Sequence, residues 1–277
     1  AFNDVIENKA HLLASEMIKY KYTKFEIDQE AFTAQLSRHG NKDTIIPTEP
    51  TAPHAGHNAA RLSLATLAGS NEKSSIEIGI RPAYHSLEDA KIDGSPLSEL
   101  ELLKVRARIR LSTGDLNIHE ATLINIKALP SSNDFTNQWS WMLYIGGSRR
   151  YLGQGAMPLH FQAAGGLGKA KTFLDSGTAY VLWGIRASAG TGINGYLSAG
   201  PIMTTGIHKA FSAAWYSRIE GEFYMLPKAP RPVYSTLEIS TGYRASKNQV
   251  ILGYMQVQQP SGESSNNEAG LRWQTYF

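Results

Sequence analysis

Cysteine is absent from the 277-residue chain, which removes disulfide frameworks, thiolate nucleophiles and Cys-based metal sites. That absence is compatible with an oxidising compartment without proving one. The chain also lacks any run of about 20 consecutive apolar residues, so a helical membrane bundle is excluded. Charge is sparse, at 18% of residues, and nearly balanced at +3, too little to argue for a nucleic-acid partner, and none is expected. A mean hydropathy of -0.28 is polar on average, yet 42% of residues are hydrophobic, which argues against disorder. No secretory apolar core opens the chain at Ala1, so a processed form or a piece of something longer is expected.

Sequence character changes once along the chain. Over residues 1 to about 40, Val5, Ile6, Leu12, Leu13, Met17 and Ile18 recur at helical spacing, and Phe25, Ile27, Phe32 and Leu36 suggest a second, weaker helix. Three prolines between Asn41 and Pro53 block helix and favour an extended linker. Residues 1–56 are therefore expected to be short helices and a Pro-rich linker, and residues 57–277 a separate β domain. Beyond His57 the helical period gives way to alternation of period two, in segments separated by Gly, Ser, Asn, Asp and Pro clusters.

In 103–111, Leu103, Val105, Ala107, Ile109 and Leu111 share one face and Lys104, Arg106, Arg108 and Arg110 the other. A helix would scatter those cations around its axis. Residues 76–84 set Ile76, Ile78 and Ile80 against Glu77, Gly79 and Arg81. Further on, Trp139, Trp141, Leu143 and Ile145 oppose Ser140, Met142 and Tyr144, and Trp215, Ile219 and Phe223 oppose Tyr216, Arg218, Glu220 and Glu222. Strands are expected near 60–68, 75–85, 100–111, 116–128, 139–148, 158–169, 178–188, 193–204, 208–224, 233–244, 249–258 and 269–277. The phase of 116–128 and 249–258 is ambiguous, and Gly165, Gly166 and Gly168 suggest a bulge or bend.

About twelve amphipathic strands fit two architectures. A soluble sandwich or lipocalin-like barrel points its apolar face to a core; a membrane barrel points it to lipid and lines its lumen with the polar face. Tyr144, Tyr196, Tyr216 and Tyr276 on the polar face, mixed with Arg, Glu, Gln and Gly, have the composition of a narrow filled lumen. Tyr84, Trp139, Phe173, Trp183, Phe223 and Phe277, read near strand ends, suit interfacial girdles. The preferred reading is an all-β, antiparallel up-and-down transmembrane barrel.

The final segment alternates and stops on an aromatic residue. Leu271, Trp273 and Phe277 resemble the assembly signal of Gram-negative outer-membrane barrels. The run PHAGHNAAR at 53–61, IRPAYHSLED at 80–89 and FTNQWSW at 135–141 extend the likeness. Over residues 45–277 the chain resembles the C-terminal, barrel portion of a bacterial family of unknown function. Fuller members of that family carry a periplasmic Lnb-like N-terminal domain similar to papain-type or lipoprotein-processing cysteine enzymes. The resemblance implies outer-membrane lipids, the barrel-assembly machinery and a periplasmic domain as partners, and an outer-membrane location with the N-terminal segment periplasmic. Any thiol chemistry would reside outside these residues, because the chain has no cysteine.

If Phe277 ends at the periplasm, alternating strand direction places turns near 86–98, 130–138, 170–177, 205–207 and 245–248 on that side. His54, His57, His85 and Asp89 would then sit at the periplasmic mouth as docking candidates. Their spacing is not diagnostic of metal ligands, and no metal or cofactor is expected. Ser140 and His160 evoke an outer-membrane phospholipase without matching its motif, and the Gly-rich stretches at 165–171 and 188–195 open no helix, as a phosphate loop would. The expected lumen network comprises Glu77, Arg81, Lys104, Arg106, Arg108, Arg110, Arg218, Glu220, Glu222 and Arg272. Two functions fit: a non-catalytic anchor for a periplasmic domain, its lumen filled by paired charges, and a channel or lipid-handling barrel for anionic or acyl substrates.

Overall fold

The computed structural model describes residues 60–70, 74–82, 97–131, 137–152, 157–173 and 177–277. The expected helices and linker of residues 1–56 lie outside them. The described residues form twelve strands: β1 Arg61–Gly69, β2 Ser75–Arg81, β3 Leu97–Arg110, β4 Leu116–Leu129, β5 Ser140–Arg149, β6 Leu159–Phe173, β7 Gly177–Ala189, β8 Leu197–Ala210, β9 Trp215–Met225, β10 Val233–Ser246, β11 Gln249–Pro260 and β12 Asn266–Tyr276. Each pairs antiparallel with its neighbours in sequence. β1 closes on β12, from Arg61 opposite Tyr276 to Gly69 opposite Glu268, giving a closed up-and-down barrel with no free edge.

Alternation along the strands sets the faces. In β1, Arg61, Ser63, Ala65 and Leu67 are buried inside, while Leu62, Leu64, Thr66 and Ala68 are exposed outside. The same division holds in β12, where Glu268, Arg272, Gln274 and Tyr276 are buried and Leu271 and Trp273 are exposed. The barrel is thus apolar outside and charged within. A soluble monomer rarely exposes so continuous an apolar surface, and the arrangement is that of a wall facing hydrocarbon. In lipid no water is available to backbone groups, and closure pairs every strand on both sides.

Two irregularities explain the strand whose phase the sequence leaves open. In the ladder between β3 and β4, Arg106 faces Glu120 but Ala107 faces Ile118, so His119 is an extra residue. Between β4 and β5 the register slips again from Thr122 to Ile124. Each bulge shifts the inward phase by one, from 117 and 119 to 120 and 122 and then to 125, 127 and 129. A matching slip lies in β3, where Leu102 and Leu103 both turn outward. Leu103 has φ 53°, in the left-handed region, and is exposed. β11 is ambiguous for another reason: Val250 and Leu252 are apolar yet buried inside, in a small cluster with Ala210, Tyr216 and Tyr276. The glycines of β6 produce no bulge, for its register runs unbroken against β5 and β7.

A recurring pair packs the inner wall. Tyr180 of β7 faces Gly206 of β8, Tyr216 of β9 faces Gly242 of β10, and Tyr254 of β11 faces Gly270 of β12. A Cβ on Gly206 would lie 2.5 Å from the Tyr180 ring, and one on Gly242 would lie 2.1 Å from that of Tyr216. The ring takes the place of the missing side chain, keeping the interior filled where the wall is thin.

The start of β1 and the end of β12 share one end of the barrel, the terminal end, with the ends of β2, β4 and β6 and the turns 211–214 and 247–248. The expected turn at 205–207 is corrected to 211–214, because Thr204, Thr205 and Gly206 continue the β8 ladder opposite Leu182, Val181 and Tyr180 of β7. Tyr196 is likewise corrected: it lies in the 190–196 connection with φ 61°, not on the inner face. Trp183 sits in the middle of β7 rather than at its end, whereas Trp139, Trp141, Trp215 and Trp273 gather toward the terminal end, with Trp215 against Tyr243 at 4.8 Å between centroids. At the opposite end residues 150–152, 190–196 and 226–232 pack against one another and β11. Tyr151 N donates to Gln258 Oε1 at 2.9 Å and Asn194 N to Lys228 O at 2.9 Å, over buried Leu152, Ile193 and Leu226.

Candidate functional site

The inner face carries the chemistry. Glu77 of β2, 1% exposed, accepts from Arg108 Nε at 2.8 Å, Arg272 Nη2 at 3.0 Å and Arg106 Nη1 at 3.3 Å. Arg108 turns its other edge to Glu268 of β12, with Nη1 to Oε2 at 2.6 Å and Nη2 to Oε1 at 2.9 Å. Glu101 of β3 accepts from Lys104 at 2.6 Å and from Arg61 and Arg81 at 3.3 Å each. Glu120 of β4 takes Lys104 at 3.0 Å together with Arg106. Alternation makes this possible, since Glu77 and Arg81 of β2, Glu268 and Arg272 of β12, and the charges of β3 on either side of its phase slip all turn to the same interior.

A second cluster lies on the other wall. Glu220 of β9 accepts from Lys127 Nζ at 2.6 Å, from Arg218 Nη2 at 2.8 Å and from the Tyr180 hydroxyl. Lys127 also lies 3.7 Å from Glu99, and Arg218 lies 4.0 Å from Glu238. Glu222 accepts from Arg186 Nη2 at 3.0 Å and Arg150 Nη1 at 3.2 Å. Burying an ion costs several kcal/mol, so such groups persist only when paired and hydrogen-bonded. A chamber of about 210 Å³ remains, bordered by Arg61, Glu101, Lys127, Arg186, Glu220 and Glu222 among others, with a void of about 30 Å³ beside His119 and Arg272.

Of the expected network, Glu77, Arg81, Lys104, Arg106, Arg108, Arg218, Glu220, Glu222 and Arg272 face inward and meet carboxylate or cation partners. Their ion pairs form three groups rather than one: around Glu77, Glu101 and Glu120, around Glu220, and around Glu222. Arg110 differs: it lies at the end of β3, 40% exposed, 3.6 Å from Asp115 of the following turn. Leu271 and Trp273 face outward, and Phe277 N donates to Ala60 O at 3.0 Å. His54, His57, His85 and Asp89 lie outside the described residues. Among the described residues no three histidine or acidic side chains converge as a metal site requires. Ser140 and His160 both face inward at opposite ends of the barrel, with Ser140 donating to Pro130 O at 3.5 Å and His160 Nε2 lying 2.6 Å from Thr191 O.

Sequence reasoning missed Glu99, Glu101, Glu120, Lys127 and Glu268. Glu268 shares the parity of Arg272 and Gln274, so extending the last segment toward 266 would have found it. The other four lie beyond a bulge, where simple alternation assigns them wrongly or not at all.

No curated protein matches the chain in sequence. Among solved structures, an outer-membrane channel of Pseudomonas putida F1 is similar at 8% identity and a TM-score of 0.46, over 84% of this chain and 100% of that one. The NanC porin is similar at 6% identity and 0.46, over 78% and 99%. Outer membrane phospholipase A from Escherichia coli is similar at 11% identity and 0.39, over 83% and 95%. These likenesses are too distant to speak of activity. The charged, paired interior just described is built almost wholly within residues 50–276, which match the domain of unknown function DUF7840, and the chain belongs to that family.

Proposed function

We propose that this chain is a non-catalytic outer-membrane barrel that fixes a periplasmic domain to the membrane, its lumen largely filled by paired charges. The supporting observation is the pairing itself. Among the described residues each inward carboxylate, Glu77, Glu99, Glu101, Glu120, Glu220, Glu222, Glu238 and Glu268, lies within 4.0 Å of a cation. A lattice of this kind suits a rigid support better than a wide pore. In this reading the terminal end faces the periplasm, where His54, His57, His85 and Asp89 would help dock the partner domain. The assembly machinery would read Leu271, Trp273 and Phe277, and outer-membrane lipids would surround the wall. The domain to be held is of the Lnb-like kind that the sequence resemblance implies.

A second reading is a channel or lipid-handling barrel for anionic or acyl solutes. It is favoured by the chamber of about 210 Å³, whose border holds more Arg and Lys than Glu. Planar-bilayer recording separates the two. The anchor reading expects silence, together with tight binding of a separately expressed Lnb-like domain; steady anion-selective conductance would establish the channel instead. Fractionation away from the outer membrane would overturn both.

A further inference from the structure

We infer that the barrel interior binds a small oxyanion between Arg150 and Arg186, beneath the end opposite the start of β1 and the end of β12. The inference goes beyond the anchoring reading and does not need it.

The two guanidinium groups share one carboxylate. Arg186 Nη2 donates to both oxygens of Glu222, at 3.0 and 3.1 Å, and Arg150 Nη1 donates to Oε2 at 3.2 Å. Both cations also lie against the Tyr224 ring, with Arg186 Cζ 4.5 Å and Arg150 Cζ 5.6 Å from its centroid, so their positions are fixed. The next carboxylate along β9, Glu220, is already engaged by Lys127, Arg218 and Tyr180.

Arg186 is only 2% exposed, and its Nε and Nη1 have no acceptor. Buried guanidinium N–H groups are costly to leave unmade, and a guanidinium cannot shed its charge as a lysine can. The side chains bordering the chamber nearby are small or neutral: Ser148, Ala164, Ile202 and Gln258. Ala164 is the cross-strand partner of Arg186, and its short side chain leaves room beside the guanidinium. Two cations, one carboxylate, unused N–H donors and adjoining space define a site for a compact anion with several acceptor oxygens, such as a phosphate or carboxylate group.

The test is calorimetric titration of the detergent-solubilised full chain with inorganic phosphate at constant ionic strength, with chloride as the comparison. Wild type should bind one phosphate saturably and prefer it to chloride. Arg186→Gln should weaken phosphate at least tenfold, and Arg150→Gln should weaken it in the same direction. Arg231→Gln should leave it unchanged, since Arg231 is paired with Glu263 and does not border the chamber. Folding of each variant is read from its heat-dependent gel mobility. No saturable phosphate binding by wild type, or equal binding by a folded Arg186→Gln barrel, would overturn the site. Because the readout is binding rather than conductance, its failure is distinct from failure of the anchoring reading.

Discussion

Tyr180 and Gly206 are direct cross-strand partners, and the phenol ring occupies the space that a side chain on residue 206 would need. The same ring donates to Glu220, so one tyrosine joins the wall of β7 and β8 to the charge cluster on β9. Gly206→Ala is therefore expected to destabilise the barrel by about 1–3 kcal/mol through overpacking. Its thermal unfolding midpoint in detergent should fall. Adding Tyr180→Ala should not add its full single-variant cost, because the two residues share one volume. Strict additivity of the two losses would count against this packing.

Leu103 holds the phase of β3. Its left-handed backbone, φ 53°, lets Leu102 and Leu103 both face outward, so that Glu99 and Glu101 arrive inside with Lys104. Deleting Leu103 would turn those carboxylates toward lipid and strip Lys104, Arg61 and Arg81 of Glu101. The deletion is expected to abolish refolding into detergent. Leu103→Gly, which adopts that backbone without strain, should still refold. A deletion variant that folds normally would show that β3 can reset its register.

Arg108 and Glu268 meet across two intervening strands in a bidentate pair. Arg108→Met leaves Glu268 short of its main cationic partner and is expected to cost about 3–5 kcal/mol, as for other buried pairs broken from one side. The double variant Arg108→Met with Glu268→Gln should recover part of that loss. Unfolding midpoints of the four proteins in the cycle provide the measurement, and no recovery would mean that the pair is not coupled.

Orientation can be read by labelling, because the native chain has no cysteine to interfere. Ser212→Cys lies in the 211–214 turn at the terminal end, and Gly262→Cys in the 261–265 turn at the other. In intact cells a membrane-impermeant maleimide should modify the residue introduced at 262 and spare the one at 212. The reverse pattern would place the start of β1 and the end of β12 outside and contradict the proposed docking side.

Much of the fold was legible because alternation is a strong signal when both faces are distinctive. The Leu/Arg alternation at 103–111 and the Ile/Glu/Arg alternation at 76–81 gave strands with their correct faces. The signal failed where geometry departs from period two. His119 is a bulge residue and Leu103 a left-handed one, and nothing in their side chains announces the change of phase. It also failed where chemistry is mixed, as at Val250 and Leu252, which are apolar but inside. Pairing was less legible than facing. Arg81 and Glu77 share a strand face, yet Arg81 bonds to Glu101 on β3, a choice set by strand stagger around the barrel.

The ion pairs also bear on whether the cylinder can unzip. The first and last strands meet along a backbone ladder, and Glu77 to Arg272 and Arg108 to Glu268 tie β12 to β2 and β3 beyond it. Parting that seam would break internal stitches as well as the ladder, so a lipid slipping sideways between β1 and β12 would meet a sewn hem.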